Sequence, residues 1–285
     1  MYFFKTTEEL KRHIGQNKSS NQKIGFVPTM GALHQGHLSL IQQSQSVCSH
    51  TICSIFVNPT QFNELSDLQK YPRTPSKDIE LLTLVGTDIL FMPKLSEVYP
   101  DGLESNLAIE FKGLDSVMEG KFRPGHFEGV AQVVHRLLEL TQPNVLFMGQ
   151  KDFQQCVIVG RMIEALSLDL ELLACPIVRS RSGLALSSRN MRLSAEGKEH
   201  ALILSASLQK AKVTLKKESV KSIIDMVKKQ FSESTAADLE YFEIVDGRSL
   251  QPIVDEKDTD FIVACVAAYI EGVRLIDNMI LKGGF

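Results

Sequence analysis

The sequence has no apolar run able to cross a bilayer. Its longest uncharged stretch, Phe261 to Ile270, falls far short of the ~20 residues a spanning helix needs. The N-terminus, MYFFKTTEEL, lacks an apolar core of signal-peptide length and turns acidic at once, so a cytoplasmic location and no membrane partner are expected. Cysteine is sparse: Cys48, Cys53, Cys156, Cys175 and Cys265 are odd in number, form no C-x-x-C pair, and none stands beside a histidine at zinc-finger spacing. That disfavours a disulfide scaffold and a structural zinc site, and leaves buried reduced thiols. Neither sign of charge dominates. With 31 basic and 34 acidic residues the net charge is −3, so no basic field invites nucleic acid, although local charge can still hold a small phosphorylated ligand. The Walker A pattern is missing, which disfavours kinase chemistry. Internal repeats and low-complexity tracts are missing too.

What is present is an ordinary globular composition, 44% hydrophobic and 23% charged over 285 residues. That length suggests about two domains and a core that needs no staples. Short apolar runs predict buried strands at Lys23–Pro28, Thr51–Val57, Asp88–Met92, Asn144–Met148 and Glu171–Val178. Helical spacing lies between them, at His37–Val47, Asp78–Val85 (with Ser76 as cap), Phe127–Leu140 and Asp152–Leu166. The alternation is that of βαβ units and a parallel sheet. Right-handed crossovers put the loops after all strands on one side, where ligands of open α/β sheets bind. The texture changes near residue 180. Helices at Ser194–Leu215 and Ser219–Phe231, then strands at Leu239–Val245 and Phe261–Tyr269, predict a smaller α+β domain over residues 180–285, after a first domain over 1–179.

The first strand runs directly into PTMGALHQGHLSL. His34 and His37 lie three apart, close to one helical turn, so both imidazoles can face one side. Gly31 and Gly36 allow close backbone approach, and a helix start offers unpaired N–H groups and a positive dipole end. The set suits a triphosphate whose charge is stabilised during attack on the α-phosphorus. Asn58 and Gln61 in FVNPTQF follow the second strand. GQKDFQQ follows the fourth: Asp152 either caps the next helix or takes a ribose hydroxyl, and Lys151 meets a phosphate. LALSSRN supplies two hydroxyls and Arg189 for β- and γ-phosphates.

The H-x-G-H signature resembles the ATP site of the nucleotidylyltransferase superfamily. Alone it leaves three readings open: an adenylate-forming ligase, a transferase making a stable nucleotide product, and a nucleotide-binding regulatory protein. The ordered set MGALHQGH, FVNPTQF, YPRT, RPGHFEGV, GQKDFQQ and GLALSSRN resembles the pantothenate synthetase (pantoate–β-alanine ligase) family, from about Ile24 to the RLIDN stretch at Arg274–Asn278. The resemblance implies a Rossmann-like α/β fold with the C-terminal α+β domain as a lid. It implies condensation of pantoate with β-alanine through a pantoyl adenylate, with ATP and Mg2+, in a homodimer. Met30, Gly31, Ala32, Leu33, His34, Gln35, Gly36 and His37 would line the ATP site, with His37 as proton donor. Gly149, Gln150, Lys151 and Asp152 would hold the nucleoside, and Val178 would meet adenine through its backbone. Leu186, Ser187, Ser188 and Arg189 would clamp the triphosphate. Gln61 and Gln155 would hydrogen-bond pantoate, with Asn58, Arg123 and His126 at neighbouring positions. His34, His37, Lys151 and Arg189 form the expected catalytic set, and Asp78 is the candidate protein ligand for magnesium. Two departures stand out. Ser180 and Ser182 replace acids the family often carries in R-E-x-D-G, which puts hinge contacts in question. Met148 replaces a commoner aromatic residue, a change a core would absorb.

Overall fold

The computed structural model describes residues 1–17, 22–63, 65–103 and 107–285. Its strands are β1 (Tyr2–Phe4), β2 (Ile24–Thr29), β3 (His50–Ile55), β4 (Ile89–Phe91), β5 (Val145–Gly149), β6 (Glu171–Cys175), β7 (Asp238–Asp246), β8 (Ile262–Ile270) and β9 (Val273–Lys282). Its helices are α1 (Thr7–Asn17), α2 (Gln35–Val47), α3 (Leu65–Lys70), α4 (Pro75–Leu84), α5 (Leu95–Val98), α6 (Met118–Phe122), α7 (His126–Thr141), α8 (Phe153–Ala165), α9 (Ala195–His200), α10 (Leu202–Thr214) and α11 (Val220–Ser232).

The first six strands form one parallel sheet in the order β1-β4-β3-β2-β5-β6. Successive residues of the inner strands serve opposite faces. Phe26 of β2 joins the core under α1, α7 and α8, and its neighbour Val27 joins the core under α2 and α4. Both faces are therefore covered, which explains why these strands read as unbroken apolar runs. The order reverses at β2: the chain builds outward through β3 and β4, then returns to β5 on the other side. Such a reversal leaves a crevice beyond the strand ends. Pro28 helps to open it. β2 pairs with β5 only at Gly25 and Phe26, and beyond them Pro28 has no N–H to offer β5.

The second sheet, β7-β8-β9, is antiparallel. On β8, Ala264, Val266 and Ala268 pack into a core with α10 and α11, while Val263, Cys265 and Ala267 pack into the core of the parallel sheet. Two-sided burial makes β8 almost wholly apolar and joins the two sheets through one shared apolar layer.

Several expected bounds shift. Strand Glu171–Val178 stops at Cys175, and the long helix Ser194–Leu215 is two helices that meet at Ala201. The helix expected from Asp78 begins at Pro75, after Thr74 rather than Ser76. The sequence reading omitted β1, β9, α1 and the short helices α3, α5 and α6. The cysteines are all free, four of them buried and Cys48 half-buried. Met148 is absorbed by the core. Among the described residues, no helix is long and apolar enough to cross a membrane.

Candidate active site

A cavity of about 210 Å³ opens at the carboxyl ends of β2 and β5, at the reversal of strand order. Its wall begins where β2 turns into α2. Thr29 donates its hydroxyl to the Ser54 carbonyl (2.7 Å) and accepts from Gly31 N–H (3.2 Å). Gly31 takes φ +81°, and Ala32 a left-handed φ of 50°. The turn is held from below by Asp78, which is 1% exposed and accepts from Ala32 N–H (3.0 Å) and Leu33 N–H (2.8 Å), one on each oxygen. Asp78 also accepts the Thr74 hydroxyl at 3.1 Å. With both oxygens engaged by this turn, Asp78 is a brace for the loop.

The H-x-G-H spacing has a specific consequence at the start of α2. His34 is the N-cap, and its Nδ1 accepts from Gly36 N–H at 3.1 Å. His37 is the third helical residue, and its Nδ1 accepts from His34 N–H at 3.3 Å. The two rings thus satisfy N–H groups at the helix start as Ser and Glu do in an ordinary capping box. Because each Nδ1 is an acceptor, the ring hydrogen sits on Nε2 in both, leaving two neutral N–H donors beside the cavity. The rings lie 4.1 Å apart between centroids. Burial, with Lys151 adding to it, pushes the His34 pKa down to about 4; burial and the neighbouring His34 push that of His37 down to about 3. Gly36 is required for this packing, since a Cβ there would lie 2.9 Å from His34 Cε1.

The floor comes from the segment after β3. Asn58 is buried: its Oδ1 accepts from Tyr99 Oη (3.0 Å) and Thr60, and its Nδ2 donates to Gly129 O (3.1 Å) and Gln61 Oε1 (3.3 Å). Gly129 of α7 lets the Pro59–Gln61 turn approach, because a Cβ would meet Thr60 O at 2.4 Å. The Gln61 carbonyl receives His126 Nδ1–H (2.7 Å) and Arg123 Nη2 (3.3 Å). Arg123 Nη1 donates to His126 Nε2 at 3.1 Å, a second neutral-imidazole arrangement. Burial, with Arg123 close by, holds the pKa of His126 down at about 4. Gln155 of α8 lines the cavity, and its side chain has no hydrogen-bond partner among the described residues.

On the β5 side, Asp152 precedes α8 but makes no side-chain cap; its carboxylate takes the Lys151 ammonium at 3.2 Å instead. Burial raises its pKa, yet Lys151 and Arg189 leave it below the usual range. Ser187 caps the turn Ser188–Arg192, accepting from Arg189 N–H (3.3 Å), and Ser188 donates to Ala32 O (3.1 Å), tying this loop to the H-x-G-H turn. Arg189 and Arg192 both donate to Asp67 of α3, at 2.7 and 3.1 Å. At the serines that depart from the family pattern, the hydroxyls of 180 and 182 bond each other (2.9 Å), and Arg179 forms a bidentate pair with Asp277 (2.6 and 2.9 Å).

Of the residues singled out by sequence, Met30, His34, Gly36, His37, Asn58, Gln61, Arg123, His126, Gly149, Lys151, Asp152, Gln155, Val178, Leu186, Ser187, Ser188 and Arg189 all line this one cavity. Gly31, Ala32, Leu33, Gln35 and Gln150 do not. Gln35 is exposed at the helix start, and Gln150 donates to Asn278 Oδ1 (3.1 Å), away from the opening. Sequence reasoning missed Asp67 and Tyr71. Tyr71 stands in the quoted YPRT motif, and its ring lies 6.0 Å from the Arg189 guanidinium.

A doubly wound parallel sheet with a glycine-bearing helix start at its point of reversal defines a nucleotide-binding α/β protein. The pantoate-beta-alanine ligase family matches residues 2–280. The chain belongs to that family and is a ligase of pantothenate biosynthesis. It is 44% identical over 277 residues to the pantothenate synthetase of Bacteroides fragilis, covering 97% of this chain and 98% of that one. To the Phocaeicola vulgatus pantothenate synthetase it is 44% identical, covering 99% and 100%. The crystal structure of the Thermus thermophilus pantothenate synthetase superposes with a TM-score of 0.92 at 36% identity, covering 99% and 100%. The Francisella tularensis pantoate-beta-alanine ligase, complexed with beta-gamma ATP and beta-alanine, superposes with a TM-score of 0.80 at 34% identity, covering 100% and 99%.

Proposed function

We propose that the chain condenses pantoate with β-alanine in two half-reactions at this cavity. In the first, a pantoate carboxylate oxygen attacks the α-phosphorus of MgATP. The bond to the bridging oxygen breaks, and pyrophosphate leaves with the electron pair. In the second, the β-alanine nitrogen attacks the acyl carbon of pantoyl adenylate, the acyl–oxygen bond breaks, AMP leaves, and the amine proton passes to solvent. No protein nucleophile is needed, because the substrate carboxylate already is one. The protein contributes position and charge stabilisation.

In this reading the Nε2–H groups of His34 and His37, the Lys151 ammonium, the Ser187 and Ser188 hydroxyls and the Arg189 guanidinium receive the charge that builds on the departing pyrophosphate. Gln61 and Gln155 take pantoate, while Gly149, Asp152 and the Val178 backbone hold the nucleoside. Asn58, Arg123 and His126 act behind Gln61 rather than on the substrate. Magnesium arrives on the nucleotide, held mainly through phosphate oxygens and water, with Asp78, whose oxygens also brace the turn, as the candidate protein ligand. Division at residue 179/180, closure of 180–285 over the adenylate to exclude water, and a homodimer belong to the same proposal.

The observation that supports it most is that donors from four separate loops line one cavity beside the start of α2. The test is exchange of labelled pyrophosphate into ATP with pantoate present and β-alanine absent. His37→Ala should lower that exchange by roughly 10²–10³, the usual cost of one charge-stabilising donor. No exchange in the unaltered protein would overturn the order of steps, and near-normal exchange in the variant would remove His37 from them.

A further inference from the structure

Behind the Gln61 shelf lies a buried cluster of charge that the reaction scheme does not use. Glu119 of α6 is 6% exposed, and each of its oxygens takes one arm of the Arg274 guanidinium, at 2.7 Å and 2.7 Å. Tyr241 donates to the same carboxylate at 2.8 Å, and Arg274 also donates to Glu240. The next cation is Arg123, whose Nη1 stands 3.7 Å from Glu119 Oε2, outside hydrogen-bond range. Arg123 is thus ion-paired with that carboxylate without a hydrogen bond to it, and gives its donors to the Gln61 carbonyl and the His126 ring.

This is a choice between partners. A carboxylate offers a guanidinium charge–charge attraction that a neutral carbonyl lacks, so Arg123 prefers a vacant Glu119 to the Gln61 carbonyl. Arg274 competes for that option by donating to both oxygens, with Tyr241 also on one of them. The carboxyl is ionised throughout the working range: burial raises its pKa, but Arg274 brings it down to about 2. Its pull on Arg123 is therefore permanent and has to be occupied.

We propose that Arg274, at the start of the RLIDN segment, is a positioning residue for the carboxylic-acid substrate: by occupying Glu119 it keeps Arg123 on the Gln61 carbonyl and the Gln61 amide in place. The inference rests on the reading that Gln61 contacts pantoate. It also gives the C-terminal sheet a part in the acid site, through a contact 155 residues apart in sequence.

The test compares steady-state KM for pantoate and for ATP in four variants. Arg274→Met should raise the pantoate KM on the order of 10- to 100-fold, as misplacement of a positioning group does, with the ATP KM unchanged. Arg274→Lys, which keeps the charge but loses the fork, should fall between it and the unaltered protein. The decisive variant is Glu119→Gln with Arg274→Met, in which Arg123 has no carboxylate to turn to. Its pantoate KM should return close to that of the unaltered protein. A merely structural ion pair would move the KM for ATP and the melting temperature together with the KM for pantoate, and the double variant would restore all three alike. A double variant as impaired as Arg274→Met, equal rises in both KM values, or an unchanged pantoate KM in Arg274→Met would each overturn the proposal. Should Arg274→Met fail to fold, the lysine and double variants carry the same two predictions. Gln61→Ala completes the set: an unchanged pantoate KM there overturns the reading on which the proposal rests, whereas a raised one with no effect at Arg274 overturns the proposal alone.

Discussion

Gly36→Ala separates the needs of the helix from those of the site. Gly36 is the second residue of α2, and there alanine suits a helix better than glycine by up to about 1 kcal/mol. Its φ is not in the left-handed region, so the backbone accepts the change. The side chain does not fit. The new Cβ would lie 2.9 Å from His34 Cε1 and 3.0 Å from His34 Nδ1, whereas ordinary contact begins at 3.4 Å, so the ring has to move by about 0.5 Å. The ring is free to turn away, which keeps the cost in stability small. Turning away breaks the Gly36 N–H to Nδ1 bond that places its Nε2–H. Displacement of that size reaches the tolerance of a preorganised site, roughly 0.5 Å, and a loss of about 10- to 100-fold in turnover is expected. The assay is AMP formation from ATP, pantoate and β-alanine, read beside thermal melting. The expected pattern is an unchanged or raised melting temperature with lost turnover. Turnover within twofold of the unaltered protein would refute the claim that the capping histidines are held in place for the reaction.

Two further predictions concern charge. His34, His37 and His126 are neutral in the folded protein, with pKa values near 4, 3 and 4 against 6.5 when unfolded, so the unfolded chain takes up protons first as pH falls. Their contribution to stability is complete above pH 6.5 and declines toward about pH 4 for His34 and His126 and about 3 for His37, while that of Glu119 holds above about 4.5 and is lost toward about 2. Urea midpoints should therefore be lower at pH 5.0 than at 7.5, and a His34→Asn/His37→Asn variant should lose part of that difference; parallel curves would contradict it. At the other end of the cavity, Asp67 holds Arg189 and Arg192, and in the proposed reading a triphosphate competes with it for them. Asp67→Asn should tighten ATP binding by calorimetry, about two- to fivefold, the scale of a partly exposed ion pair; weaker binding would argue against Arg189 as a phosphate ligand.

Much of this protein is written locally. Strand β2, the H-x-G-H helix start and the loops after β3 and β5 are each specified by residues next to one another in sequence. Apolar runs, a three-residue histidine spacing and turn glycines act through contacts only a few residues long. Motif order alone pointed to the family, and the right-handed crossover rule alone put the motif loops on one side of the sheet. Tertiary structure decided what depends on distant partners. β1 is three residues long and is a strand only because β4 lies beside it. Asp78 reads as a helix-start acid, yet its carboxylate is engaged by backbone donors 45 and 46 residues away. Asp67 with Arg189, and Glu119 with Arg274, pair across 122 and 155 residues. No periodicity reports such pairs, because a charged side chain in sequence looks the same whether it meets water or a buried partner. Burial and the choice of partner are properties of the packed chain, and these settle which charges act on a ligand and which hold the acting ones still.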